Sequence, residues 1–332
     1  MILQVRDLVT KFHTLDGTVN AVSGVSFDVK AGETLAIVGE SGSGKTVTLL
    51  SILGLIQSPP GRVESGQALF TTEKGTRDLL QMSAHELRDV RGGQIGFVFQ
   101  DPISSLNPIL TIGEQISETL TRHLRLSREK ARERALQLLA AVGIADPERC
   151  YGAFPFQFSG GMRQRVVIAV AIACRPKIVV SDEPTTALDV TVQAQIIDLF
   201  KHLRQELGAT VIWITHDLGV VAGLADRVLV MYGGRVAEVA PVDDLYFNPQ
   251  HPYTAGLLSA MPRVDARESK RLAAIRGTAP DLLIPLKHCP FAPRCDLAFD
   301  RCWEQIPPLV EVGEGCQTAC FYDLRKGGPR DV

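Results

Sequence analysis

Eight residues of this chain have the types and spacing to hold a polyphosphate: Gly39-Glu40-Ser41-Gly42-Ser43-Gly44-Lys45-Thr46. They fit G-x-x-x-x-G-K-[ST] and stand between an apolar run, Leu35-Ala36-Ile37-Val38, and a leucine-rich segment, Leu49 to Ile56. A strand, a glycine-rich loop and a helix in that order let backbone N–H groups close around phosphates, with Lys45 reaching the β and γ oxygens and Thr46 ligating Mg²⁺. The positive end of the helix dipole adds to the attraction. A glycine turn with no ligand is the bland alternative, and the complete pattern in its strand-to-helix setting argues against it.

Two further segments have the means to act on such a ligand. Ile178-Val179-Val180-Ser181-Asp182-Glu183 is an apolar strand ending in two carboxylates. Asp182 can hold Mg²⁺ through its water shell and Glu183 can polarise an attacking water; a buried strand is a costly place for paired carboxylates unless a cation is near. Ser159-Gly160-Gly161-Met162-Arg163-Gln164-Arg165 places an N-cap serine and two glycines at the start of an apolar helix, a second terminus suited to an anion. Its plain reading is an ordinary helix cap.

Taken together, these segments resemble the ATP-binding-cassette family. Ser159-Gly160-Gly161-Met162 is similar to its signature motif, whose usual last residue is glutamine; Gln100 matches the Q-loop, Ala187-Leu188-Asp189 the D-loop and His216 the switch histidine. The resemblance covers roughly residues 1–240, with the motifs in the family's order. It implies an α/β fold: a P-loop nucleoside triphosphatase core with an N-terminal antiparallel β subdomain, a helical signature subdomain at about 101–172, and here a small Cys-rich C-terminal domain at 241–332. It also implies a head-to-tail pair of such domains, each ATP lying between the phosphate loop of one and Ser159-Gly160-Gly161 of the other. On that basis Gly39 to Thr46 would bind the phosphates, Thr46, Gln100 and Asp182 would serve Mg²⁺, and Glu183 would be the general base. His216 would contact the γ-phosphate, Asp189 would face the nucleotide, and Phe12 would stack on adenine. With the serine and both glycines kept, Met162 should leave activity intact.

The elements that must position these residues can be read from the pattern. Strands are expected at Ile2 to Leu8, Val25 to Val29, Thr34 to Val38 and Ile95 to Phe99, with turns at Asp16-Gly17 and Ala31-Gly32. Between Ser58-Pro59-Pro60-Gly61 and Gly93 the chain reads as a polar region with one capped helix at Ser83-Ala84-His85-Glu86. From Asp101 to Cys174 helices follow, one capped by Thr111 and Glu114 and one after Ser127 whose Ala131, Ala135, Leu138, Leu139 and Val142 share a face. Strands and helices then alternate from Ile178 to Met231, which means a largely parallel sheet with ligands beyond its C-terminal strand ends.

Bulk properties narrow the function classes. With 332 residues, 45% hydrophobic and 22% charged, the chain has the make-up of a globular protein with room for a core and an appendage. A net charge of -2 carries no basic footprint for nucleic acid. The longest apolar stretch, Val166 to Cys174, is about half of the ~18 residues a spanning helix needs, and the N-terminus lacks the marks of a signal peptide. A cytoplasmic location follows as an expectation.

Five of seven cysteines, Cys289, Cys295, Cys302, Cys316 and Cys320, crowd into the end of the chain, which in a reducing compartment suggests metal more than disulfides. The segment Asn248-Pro249-Gln250-His251-Pro252-Tyr253-Thr254, followed by Leu257-Leu258 and Pro262, is similar to the C-terminal element of oligopeptide and dipeptide importer ATPases. Phe99-Gln100-Asp101-Pro102, Ser105-Leu106-Asn107-Pro108 and Cys289-Pro290-Phe291-Ala292-Pro293-Arg294-Cys295 also match that group. This narrower resemblance implies a 4Fe-4S cluster on Cys289, Cys295, Cys302 and Cys320, with Cys316 the rival for the fourth place and zinc the alternative metal. It further implies an energy-coupling ATPase on the cytoplasmic face of the inner membrane, docked on two permease subunits and served by a solute-binding protein. Met162 hints at one half of a heterodimer with a second such ATPase. Importers of nickel, glutathione, opines or sugars, a soluble cassette ATPase acting on nucleic acid or ribosomes, and a metal-sensing regulator are the competing readings.

Overall fold

The structure is a computed structural model that describes residues 1–186, 188–261 and 275–330. Pro262 and Ala187 lie outside the described residues. The chain divides into two compact units, 1–29 with 35–81 and 215–332, and 30–34 with 82–214.

In the first unit, strands alternate between core and solvent. Leu3–Thr14 buries Leu3, Val5 and Leu8 and pairs antiparallel with Gly17–Val29 on one side and Gly61–Thr72 on the other; Gly75–Asp78 completes this four-stranded sheet. The last two strands occupy the stretch that reads as a polar region, where no strand is expected. Their inward residues, Ala68 and Phe70, are buried while Gln67, Leu69 and Thr71 beside them are not, so half-burial suffices for a strand that has a sheet to join. A second set of strands runs Val310–Gly313, Cys316–Thr318, Arg235–Pro241, Arg227–Tyr232 and Thr34–Val38 in spatial order. Thr34–Val38 is buried at every position and lies parallel to Arg227–Tyr232, as its unbroken apolar run demands. The C-terminal segment thus contributes strands: Thr318 pairs with Glu238 and Gln317 with Val239. Helices Val242–Phe247 and Pro252–Ser259 pack with Phe291, Ala292 and Phe321 into one apolar cluster that also takes in Val38, Val230 and Tyr232.

In the second unit, Ile95–Val98, Ile178–Asp182 and Thr210–Thr215 form parallel neighbours. Helices surround them, and their ends carry the expected local chemistry. Ser83 and Glu86 close a capping box on Ala84–Val90, and Thr111 and Glu114 close another on Ile112–Leu124. Ser127 caps Arg128–Ala141, whose Ala131, Ala135, Leu138 and Leu139 are buried together with Val142. No helix among the described residues is long and apolar enough to cross a membrane.

Candidate functional site

The phosphate loop leaves the buried strand Thr34–Val38 and enters the helix Lys45–Ile52 through Gly44, with φ of 150° at Gly39, 78° at Gly42 and 98° at Gly44. Only glycine takes these values without strain. Space enforces two of the three: a Cβ on Gly39 would stand 2.2 Å from the Met231 carbonyl oxygen and one on Gly44 2.5 Å from that of Ala21. Beside Gly42 a Cβ would meet nothing within 4 Å, so the loop is braced on one side and open on the other. Lys45 is 5% exposed, and its Nζ donates to the carbonyl oxygens of Gly39 at 2.7 Å and Glu40 at 3.0 Å. Ser43 Oγ is buried with no hydrogen-bond partner among the described residues. A buried cation cradled by carbonyls, an orphaned hydroxyl and an open glycine face fit a polyphosphate.

In the second unit, the parallel strands bring two predicted residues together. Gln100 follows Ile95–Val98 and Glu183 follows Ile178–Asp182; Gln100 Nε2 donates to Glu183 Oε2 at 3.0 Å. Thr186 Oγ1 donates to the same oxygen at 3.0 Å, and the Glu183 N–H donates to the Ile214 carbonyl at 2.9 Å. Glu183 has φ of 44°, a left-handed conformation that costs a non-glycine residue on the order of 1–3 kcal/mol and is kept here by those three bonds. Asp182, just before it, is 3% exposed at the strand end. Thr186 escaped the sequence reading because nothing in its neighbourhood marks a threonine as a partner of Glu183.

Ser159 is exposed and caps the 13-residue helix Gly160–Ile172, its Oγ accepting from the Met162 N–H at 3.3 Å. Gly160 opens onto empty space, whereas a Cβ on Gly161 would stand 2.8 Å from Val192 Cγ1. Val192 belongs to Val190–Leu207, which Asp189 caps by accepting from the Val192 N–H at 2.9 Å. Two helix N-termini therefore lie side by side at the surface. His216 is exposed directly after Thr210–Thr215. Phe12 sits half-buried on Leu3–Thr14 opposite Val19 and Gly61.

Sequence reasoning also missed a tie on the phosphate loop itself. Arg294, whose side chain is 6% exposed, donates to both carboxylate oxygens of Glu40, at 2.8 and 3.1 Å. Tyr253 is fully buried and its hydroxyl accepts from the Glu40 N–H at 2.9 Å. Both residues belong to segments quoted above for their resemblance, but no local signal says what they touch.

The cysteine reading is corrected. Cys289, Cys295, Cys302 and Cys320 do line one small cavity, with Phe291, Phe321 and His251 among its other walls, while Cys316 stands apart on the strand Cys316–Thr318. That cavity holds about 10 Å³, the space of a single water. Among the described residues no group of three or more Cys, His, Asp or Glu is placed to hold a metal ion. Burial pushes the Cys289 thiol up to about 11 and that of Cys320 to about 12. The iron-sulfur cluster and its zinc alternative are both withdrawn; these cysteines are small apolar side chains of the extension's core.

A phosphate loop with a strained carboxylate held by glutamine and threonine defines a nucleoside triphosphatase of cassette type. The comparisons agree. The family described as ABC transporter matches residues 22–186, and that described as Oligopeptide/dipeptide transporter, C-terminal region, matches 237–302. The Oligopeptide transport ATP-binding protein OppD of Bacillus subtilis (strain 168) is 50% identical over 313 residues, 94% of this chain and 86% of the relative. The Dipeptide transport ATP-binding protein DppD of the same organism is 52% identical over 320 residues, 96% and 94% of the two chains. Among solved structures, the ATP-binding cassette MJ0796 in a dimeric post-hydrolysis state bound to ADP and Pi is 31% identical with a TM-score of 0.64. It covers 72% of this chain and 98% of its own. A second, cbiO1 from Clostridium perfringens, part of an ABC transporter complex, is 30% identical with a TM-score of 0.61, covering 74% and 91%. This chain belongs to the ABC transporter ATP-binding proteins, within their oligopeptide/dipeptide transport group.

Proposed function

We propose that this chain is the ATP-hydrolysing, energy-coupling subunit of an importer for di- and oligopeptides. The observation that carries the cargo class is the near full-length identity to peptide-transport ATP-binding proteins, extension included. Lys45 and the amides of Gly39 to Thr46 hold the phosphates, and Thr46, Gln100 and Asp182 serve Mg²⁺, which when bound shields the charge that develops on phosphoryl oxygens. Glu183 orients and polarises the attacking water; the Gln100 and Thr186 donors at 3.0 Å fix its carboxylate for that task. His216 contributes to the γ-phosphate and Phe12 to adenine. Ser159, Gly160, Gly161 and Asp189 serve the nucleotide of a second ATPase subunit, and the exposure of Ser159 and Gly160 supports that reading.

The second subunit is proposed to be a different ATPase, since Met162 stands where the signature glutamine is usual. The pair docks on two permease subunits at the cytoplasmic face of the membrane, with a solute-binding protein delivering cargo. Exposed apolar residues in the second unit, Phe99, Ile103, Ile109 and Phe156, support such a docking. The test is reconstitution of the chain with permease subunits and partner ATPase in liposomes, followed by ATP-driven uptake of a labelled tripeptide. Uptake that requires ATP and is lost in E183Q is the expected result. Hydrolysis stimulated by nickel, glutathione or a sugar but not by peptides would overturn the cargo class.

A further inference from the structure

We propose that Arg294 is a positioning residue for nucleotide binding: from the C-terminal extension it neutralises and fixes Glu40, and so holds the phosphate loop in its binding shape. The inference rests on the ATPase reading and adds to it a direct task for the extension.

Glu40 is an awkward residue for such a loop. Its carboxylate brings negative charge to a segment built to receive an anion, and it stands next to Gly39, within a loop whose three glycines all take positive φ and have little rigidity of their own. The extension answers both problems. Arg294 lies at the end of the short 3-10 turn Ala292–Arg294, and every one of its five N–H donors has an acceptor. Nε donates to the Arg276 carbonyl at 2.8 Å. One terminal nitrogen donates to Glu40 Oε2 at 2.8 Å and to the Tyr232 hydroxyl at 3.2 Å, and the other to Glu40 Oε1 at 3.1 Å and the Ile275 carbonyl at 3.4 Å. The guanidinium carbon also stands 5.7 Å from the centroid of the Tyr232 ring. A fork anchored on three extension or core groups is a rigid mount, and its bidentate grip fixes Glu40 in direction as well as position.

Glu40 passes that order to the loop. Its N–H is held by the Tyr253 hydroxyl at 2.9 Å, and its carbonyl oxygen accepts from Lys45 Nζ at 3.0 Å and the Ser43 N–H at 3.2 Å. One residue therefore connects the extension's arginine to the lysine that meets phosphate. Loop order supplied in advance need not be paid out of binding energy.

Charge and geometry together give a distinctive signature. In R294A the Glu40 carboxylate is left bare beside the phosphates, and the dissociation constant for Mg-ATP on the purified full chain rises about tenfold, the equivalent of ~1.4 kcal/mol. Adding E40Q to R294A removes the bare charge and brings the constant back to within about threefold of the wild type, and E40Q alone closes the double-mutant cycle. The loss in R294A also shrinks between low and high salt, because the repulsion is screened. In the reconstituted transporter the change falls on the KM for ATP, with kcat kept. Should R294A fail to fold, R294K keeps the charge but loses the fork and carries the same comparison, with a smaller rise. A wild-type chain that binds no Mg-ATP overturns the ATPase reading itself. A wild-type chain that binds normally, with R294A and R294K unchanged or with losses that simply add to that of E40Q, overturns the positioning role alone.

Discussion

Replacing His251 by asparagine should make the stability of the extension fall steadily as pH rises from about 4.5 to 7, a slope the wild type largely hides. Two buried groups with opposed titrations meet here. Glu238, 1% exposed, accepts the N–H groups of Gln250 at 2.6 Å and His251 at 3.0 Å, and burial pushes its carboxyl up to about 7. An acid with a raised folded-state value binds protons more readily folded than unfolded, so its contribution is full below the ordinary carboxylate value of 4.5 and is lost by pH 7. His251, also buried, is pushed down from 6.5 to about 4 by the same desolvation. The unfolded chain then takes up the proton first, so stability rises with pH between about 4 and 6.5. At ~1.4 kcal/mol per pH unit, each group is worth on the order of 3 kcal/mol across its window, and the two nearly cancel between about 4.5 and 6.5. Asparagine keeps the helix cap that His251 Nδ1 gives by accepting the Tyr253 N–H at 3.0 Å, while removing the titration. Hydrogen exchange of the amides around Gln250 to Thr254, corrected for intrinsic pH dependence, reads the opening free energy of this region without requiring the whole chain to unfold in one step. A variant whose opening energy is flat, or rises, between pH 4.5 and 7 would refute the reasoning.

Other perturbations give sharper readouts. E183Q should keep Mg-ATP binding but cut hydrolysis by about 10²–10⁴-fold, the usual worth of a positioned base, in a phosphate-release assay; equal loss of binding and turnover would contradict the assignment. G39A should fold yet lose most nucleotide affinity, because its Cβ meets the Met231 carbonyl oxygen at 2.2 Å; isothermal titration with Mg-ATP checks this, and unchanged affinity would refute the close approach. Alkylation at pH 8 should be slow at Cys289 and Cys320 in the native chain and fast after denaturation, as expected of buried thiols raised to about 11 and 12; rapid native labelling resolved by mass spectrometry would show reactive thiolates instead.

Local chemistry was legible wherever a few neighbouring residues suffice. The phosphate loop announces itself because glycine conformations, a lysine and a threonine are needed at fixed offsets along one turn of chain. Both capping boxes and the buried face of Arg128–Ala141 follow from the same short-range rules. Period-two alternation marked Val25 to Val29 at the end of Gly17–Val29, yet the strands Gly61–Thr72 and Gly75–Asp78 read only as a polar region, since an antiparallel strand with one wet face declares itself only beside its partner.

What tertiary structure alone decided depends on residues far apart in the chain. Glu183 and Gln100 meet because their strands are parallel neighbours, a pairing 83 residues long in sequence that no motif states. Arg294 reaches Glu40 across 254 residues, turning a phosphate-loop glutamate from an oddity into one half of an ion pair. The cysteines show the converse. Their crowding in sequence pointed to a metal, but among the described residues no group of them is placed to hold one. They pack against Phe291 and Phe321 instead, and burial is a property that spacing along a chain does not carry.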